Sequence, residues 1–129
     1  MEQGHAQGNP VETGLARLCG LLRVLGEPNR LRIMGLLRQQ ERCVCELLPD
    51  TGISQPLLSH HLSVLAEAGL IRSRRQAQRI YYSLAPEALA QLKSLFLEHL
   101  DPDTLPPEAA MGQGIAQCPM PAPPTEQAR

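Results

Sequence analysis

Aromatic side chains are nearly missing: the chain has no tryptophan, one phenylalanine and two tyrosines. Sheet sandwiches lean on aromatic and β-branched residues, so this scarcity argues against one. Leucine fills the gap and suits a core of packed helices. Overall positive charge is also lacking, since the formal net charge is -1. Any nucleic-acid contact is therefore left to a local basic patch. Long apolar runs are absent. Arg23 already separates Leu21-Leu22 from Val24-Leu25, and no membrane span is expected. The opening MEQGHAQGNPVE has no basic stretch leading into an apolar one, so no secretory signal is expected and a cytoplasmic protein is. There is no Cys-x-x-Cys, and no His or Asp adjoins Cys43 and Cys45 to act as a base. Both points disfavour a small thiol enzyme.

What is present divides the 129 residues into one domain with two polar ends. Residues 1–12 are glycine-rich and expected to be disordered. Thr13 can cap a helix to about Leu25, with Leu15, Leu18, Leu22 and Leu25 inward, Cys19 beside them, and Gly26 ending it. Glu27 is a poor cap, but Pro28 suits the start of a helix to about Gln40. Its inward residues are Leu31, Met34 and Leu37, with Ile33 and Leu36. Residues 42–48 form a short helix or turn, stopped by Pro49-Asp50-Thr51-Gly52. Ser54 caps the next helix, Pro56 lies in its first turn, Leu58, Leu62 and Leu65 face inward, and Gly69 stops it. The period then changes. Residues 70–75 and 79–84 read as strands around Gln76-Ala77-Gln78. Pro86 opens a last helix to about Leu100, with Leu89, Leu92, Phe96 and Leu100 inward and Leu95 flanking. Residues 101–129 hold a run of prolines and are expected to be a flexible tail.

The expected fold class is mainly α with a two-stranded β-wing, a winged helix-turn-helix spanning residues 13–100. The leucine faces of the first and last helices exceed what so small a core can hide, which predicts a homodimer. Between Ser54 and Tyr82 stand Arg72, Arg74, Arg75 and Arg79 against Glu67 alone. Ser54, Gln55, Pro56, Ser59, His60 and His61 suit a helix that reads double-stranded DNA, because glutamine pairs with adenine and serine or histidine reaches bases or phosphates. Arg74, Arg75 and Arg79 suit phosphates or the minor groove. The bland alternatives are a solvated polar face, a core-edge His61 and edge-strand protection by the arginines.

Taken together, Leu25-Gly26-Glu27-Pro28-Asn29-Arg30-Leu31-Arg32-Ile33, Cys43-Val44-Cys45-Glu46-Leu47, Ser54-Gln55-Pro56-x-x-Ser59-x-His61-Leu62-x-x-Leu65-x-x-Ala68-Gly69-Leu70, Arg74-Arg75 and Tyr82-Ser83-Leu84 resemble the ArsR/SmtB family of metal-responsive repressors. The resemblance covers about residues 15–100. It implies a cytoplasmic dimer that sits on its own operator and lets go when a toxic metal or metalloid binds; in its arsenic-responsive branch, it controls arsenic-resistance genes. The chain departs from the family at Ala77, where glycine often forms the wing tip. It also departs at Leu48, where arsenic-responsive members carry a third cysteine. Glu87, Glu98 and His99 do not make the family's alternative site on the last helix.

Cys43 and Cys45 are expected to be reduced in the cytosol and to bind soft ions. Arg42 and a helix N-terminus would favour the thiolates. Two residues apart on a helix they lie about 200° apart, so a shared ion requires a frayed or unwound first turn. Their alternative is as small core residues. As(III) or Sb(III) favours three thiolates, and Cys19 and Cys118 are the candidates for the third. Packed core thiol and spectator on the tail are their respective alternatives. A two-thiol site also accepts an organoarsenical with one valence filled. Cd(II), Pb(II) or Zn(II) would recruit four donors. Redox sensing by Cys43 and Cys45 is the remaining alternative.

Overall fold

A computed structural model of the chain describes residues 10–107. In chain order it contains α1 (Pro10–Leu25), α2 (Pro28–Gln39), β1 (Arg42–Cys43), α3 (Val44–Thr51), α4 (Gln55–Glu67), β2 (Ile71–Gln76), β3 (Arg79–Leu84) and α5 (Pro86–Leu100). A single turn of 3-10 helix follows at Pro102–Thr104, against the expectation that prolines rule out regular structure there. Asp101 makes it possible by accepting a hydrogen bond from the Asp103 amide.

Helix α1 starts before Thr13, so residues 10–12 belong to it rather than to a disordered leader. Pro10 explains the earlier start: its fixed φ and missing N–H fit the first helical position. Glu27 proves a working cap, its Oε1 accepting from the Arg30 amide at 3.0 Å. The expected helix-or-turn at 42–48 becomes a strand and then a helix. Arg42 pairs with Tyr82 and Cys43 with Tyr81, which adds β1 to the wing and gives the sheet order β1-β3-β2. The two-stranded wing is thus present with a third short strand on its edge.

Pro49 does not break α3 but lies inside it. It has no N–H for the carbonyl four residues back, that of Cys45. The helix closes regardless: the Thr51 hydroxyl donates to the Leu47 carbonyl at 2.9 Å, and Gly52, at φ 71°, donates its amide to Leu48 at 2.9 Å. Helix α4 follows its sequence signals closely. Ser54 Oγ accepts from the Leu57 amide at 3.3 Å, and Gly69 at φ 80° ends the turn.

The register from Ile71–Leu84 to Gln76–Arg79 leaves only Ala77 and Gln78 in the wing turn. Ala77 adopts φ 57°, so the tight turn forms without glycine. That conformation costs about 1–2 kcal/mol for a residue with a Cβ.

Leu18, Leu21, Ile33, Met34, Leu37, Leu47, Leu58, Leu62, Leu65, Leu70, Ile71 and Leu95 form the core. Each fully buried leucine or isoleucine is worth roughly 1.5–3 kcal/mol relative to exposure. The expected inward faces are rotated. On α1, Leu18 and Leu21 are buried while Leu15 and Leu22 are exposed; on α5, Leu95 is buried while Phe96 and Leu100 are exposed. On α2, Leu31 is exposed as well. The cause is that α1 and α5 pack on each other and turn their second leucine stripes outward. An apolar groove of about 300 Å³ runs between them, lined by Leu22, Leu89, Leu92, Phe96 and Leu97 with Lys93.

Candidate thiol site and nucleic-acid interface

Cys43 closes strand β1 and caps α3 in an extended conformation. Glu46, at the third position of α3, turns back so that its Oε1 accepts from the Cys43 amide at 3.0 Å. Cys45 lies in the first helical turn. Because Cys43 stands outside the helix, the 200° separation does not apply. The Cα atoms are 5.3 Å apart and the two residues form a disulfide, not the expected pair of free thiols. Cys43 is 2% exposed, whereas Cys45 faces solvent.

Arg42 does not serve the sulfurs as expected. It donates to Asp50 at 2.9 Å and to Gln39 at 3.1 Å, and its Nε is buried without a partner. Cys19 is a free, exposed thiol on α1, not a packed core residue. Cys118 lies outside the described residues. Among the described residues, no group of three His, Cys, Asp or Glu side chains could hold a metal ion. The fit to a soft ion is therefore partial: two sulfurs once reduced, and no third donor beside them among the described residues. On α5, Glu87 is engaged by Arg72, and His99 Nδ1 lies 3.0 Å from the Leu95 carbonyl.

An open cleft of about 350 Å³ adjoins the sulfurs. Its walls are Cys43, Val44, Cys45 and Leu48, then Gln55 from α4, and Gln78, Arg79 and Ile80 from the wing. Sequence reasoning missed this meeting of sulfur, α4 and wing tip. The available signal was Glu46, three residues after Cys43, as the return half of a capping box.

On α4, Gln55, Pro56, Ser59, His60 and Ser63 are exposed; Ser54 is exposed too, but its hydroxyl is spent on the cap. His61 is not on that face. It is 4% exposed, with Nδ1 3.2 Å from Arg30 Nη1 and Nε2 3.7 Å from Glu27 Oε1. Arg30 is itself fixed by donating from Nε to the Val24 carbonyl at 2.6 Å. Burial pushes the Glu27 carboxyl up, but the Arg30 amide and the nearby His61 and Arg30 charges outweigh it and leave it below its ordinary value. His61 thus ties α4 to the start of α2, the core-edge placement given as its alternative.

The wing arginines also separate. Arg74 forms a bidentate pair with Glu41, at 2.7 Å on both sides, donates to Gln76 at 2.6 Å, and lies 4.9 Å over the Tyr81 ring. The hydrogen bond to Arg74 holds the Glu41 carboxyl below its ordinary value, and Glu41 raises Arg74 in turn. Arg75 and Arg79 are exposed and make no ion pair among the described residues. They are the wing charges without an ion partner among the described residues.

Residues 27–73 match the description "bacterial regulatory protein, arsR family". The arsenic resistance transcriptional regulator ArsR1 of Pseudomonas putida is 40% identical over 93 residues, covering 66% of this chain and 73% of that protein. The chain belongs to the ArsR family. The transcriptional repressor SmtB homolog of Synechocystis is 38% identical over 76 residues, covering 59% of this chain and 58% of that protein. The chain thus spans under two thirds of the length of that ArsR-family relative. Reduced HlyU from Vibrio cholerae has the same fold, with a TM-score of 0.58 at 32% identity, covering 70% of this chain and 96% of that one. Members of the ArsR family are transcriptional regulators, not enzymes. Among the described residues no helix is long and apolar enough to cross a membrane.

Proposed function

We propose that this ArsR-family protein is a cytoplasmic repressor that binds double-stranded operator DNA as a homodimer and releases it when reduced Cys43 and Cys45 take up As(III) or Sb(III). The observation that carries the reading is the position of Cys43. It is at once the cap of α3 and the partner of Tyr81 in the wing sheet. A change at that sulfur pulls on the first helix of the motif and on the wing together. Gln55, Ser59 and His60 read bases, while Arg75 and Arg79 meet phosphates. The exposed apolar stripe of α1 and α5 supports pairing with a second copy. The third sulfur comes from Cys19 of that copy or from Cys118. Couplings of about 1–3 kcal/mol, or roughly 5- to 150-fold, suffice for such a switch.

The test is operator release from fully reduced protein, titrated with As(III), Sb(III), Cd(II), Pb(II) and Zn(II). Release by As(III) is expected in wild type, with binding retained but release lost in Cys43→Ser and Cys45→Ser. Release in both variants rejects the site. Release by the divalent ions alone moves the protein to a Cd(II), Pb(II) or Zn(II) sensor. The disulfide favours one other reading, a redox-responsive repressor. In that case a change in DNA affinity follows reduction of the Cys43–Cys45 bond by a dithiol, two electrons and two protons, with no ion added.

A further inference from the structure

We propose that Glu41 withholds Arg74 from DNA phosphates and so sets the level of sequence-independent binding. The inference rests on the reading that this chain binds double-stranded DNA. Cross-strand partners share a face of a sheet, and side chains alternate along each strand. Arg74 pairs with Tyr81 and Gln76 with Arg79, so these residues share one face of the wing. By charge and position alone, Arg74 would join Arg79 on the phosphates.

Glu41 intervenes. It lies in the link between α2 and β1. Its Oε1 accepts from Arg74 Nη2 and its Oε2 from Arg74 Nε, each at 2.7 Å. That fork is the one an arginine offers to a phosphate. The remaining Nη1 donates to Gln76 at 2.6 Å, and the guanidinium carbon lies 4.9 Å over the Tyr81 ring. The carboxylate is ionised at neutral pH, because the hydrogen bond from Arg74 holds it below its ordinary value. Exchanging it for a phosphate replaces one charge-assisted fork with another. The freed Glu41 carboxylate would then face the same polyanion, which offsets the counterion release that the new contact supplies. Arg75 and Arg79 carry no such penalty, having no ion partner among the described residues. Glu41 therefore acts on affinity through Arg74, without touching DNA itself.

The test is a double-mutant cycle on the full chain, using a fluorescent duplex of scrambled sequence over a series of salt concentrations. Wild type, Glu41→Gln, Arg74→Gln and the double variant are compared, each checked by thermal unfolding. Both side chains are partly exposed, so these changes leave the core intact. Glu41→Gln frees Arg74. It is expected to tighten binding by roughly 5- to 10-fold near 0.1 M salt, and to steepen the log–log salt slope by about 0.9, the increment of one phosphate. In the Arg74→Gln background the same substitution has no arginine to free, and is expected to change affinity and slope far less. An equal effect in both backgrounds means that Glu41 acts by its charge alone, and overturns the proposal. Weaker or unchanged binding by a folded Glu41→Gln overturns it as well, since the pair then only braces the wing or Arg74 already reaches DNA. Absence of salt-dependent binding in all four proteins rejects the DNA-binding reading, and the proposal with it.

Discussion

Helices α3 and α4 are neighbours in one helix-turn-helix, yet they are built differently. Helix α4 is bounded by a serine cap and a left-handed glycine, and buries Leu58, His61, Leu62 and Leu65. Helix α3 is capped by a cysteine, contains Pro49, and buries only Leu47 and Thr51. The proline leaves the Cys45 carbonyl without its usual amide, so the turn that carries the sulfur has one hydrogen bond fewer. Helix α4 is anchored along its length. Helix α3 is soft at the turn that carries Cys45.

The largest effect that separates the two lies in the α4 anchor. Leu58→Ala should destabilise the fold by about 2–5 kcal/mol, read by thermal or urea unfolding. A loss below about 1 kcal/mol means that α4 is not the rigid partner. Next comes the soft turn. Pro49→Ala restores a donor to the Cys45 carbonyl and should stabilise α3 by about 1–2 kcal/mol, after allowing for the entropy the proline removes from the unfolded chain. Amide exchange in α3 should slow, and inducer response should weaken. Unchanged exchange removes the softness argument. Ser54→Ala should cost about 1 kcal/mol by leaving the Leu57 amide uncapped. An equal loss of DNA affinity on matched and scrambled sites would show that the cap orients the whole helix rather than one base contact.

The smallest effect tests the ion pair that joins the approach to β1 with β2. Glu41 titrates below its ordinary carboxylate value of 4.5 because it pairs with Arg74. Its contribution is complete above 4.5, the unfolded value, and is lost as pH falls through the lower folded value. Wing resonances of Tyr81 should therefore shift only below about pH 4.5, and Glu41→Gln should abolish that step. A step at the same pH in the variant assigns it to another group.

The same contrast marks what could be read from the chain alone. The limits of α4 were legible because Ser54, Pro56 and Gly69 act locally. Strand β1 was not, because Arg42 and Cys43 become extended only by pairing with Tyr82 and Tyr81, some 38 to 40 positions on. The disulfide was hidden for the same reason: a helical Cys43 would have turned away from Cys45. His61 was given both a DNA-facing and a core-edge reading, and its spacing from Leu58 and Leu65 favoured the second. The rotated faces of α1 and α5 reflect an excess of leucine, which left helical periodicity with two equally good answers. Glu41 was overlooked because nothing local announces a partner on β2.

Helix α3 buries Leu47 and Thr51 and packs Val44 and Leu48 partly against the core, while Cys45 and Glu46 face solvent. A lineage can therefore exchange Cys45 for another side chain with little loss of buried apolar surface. The fold can persist while the chemistry at that position changes.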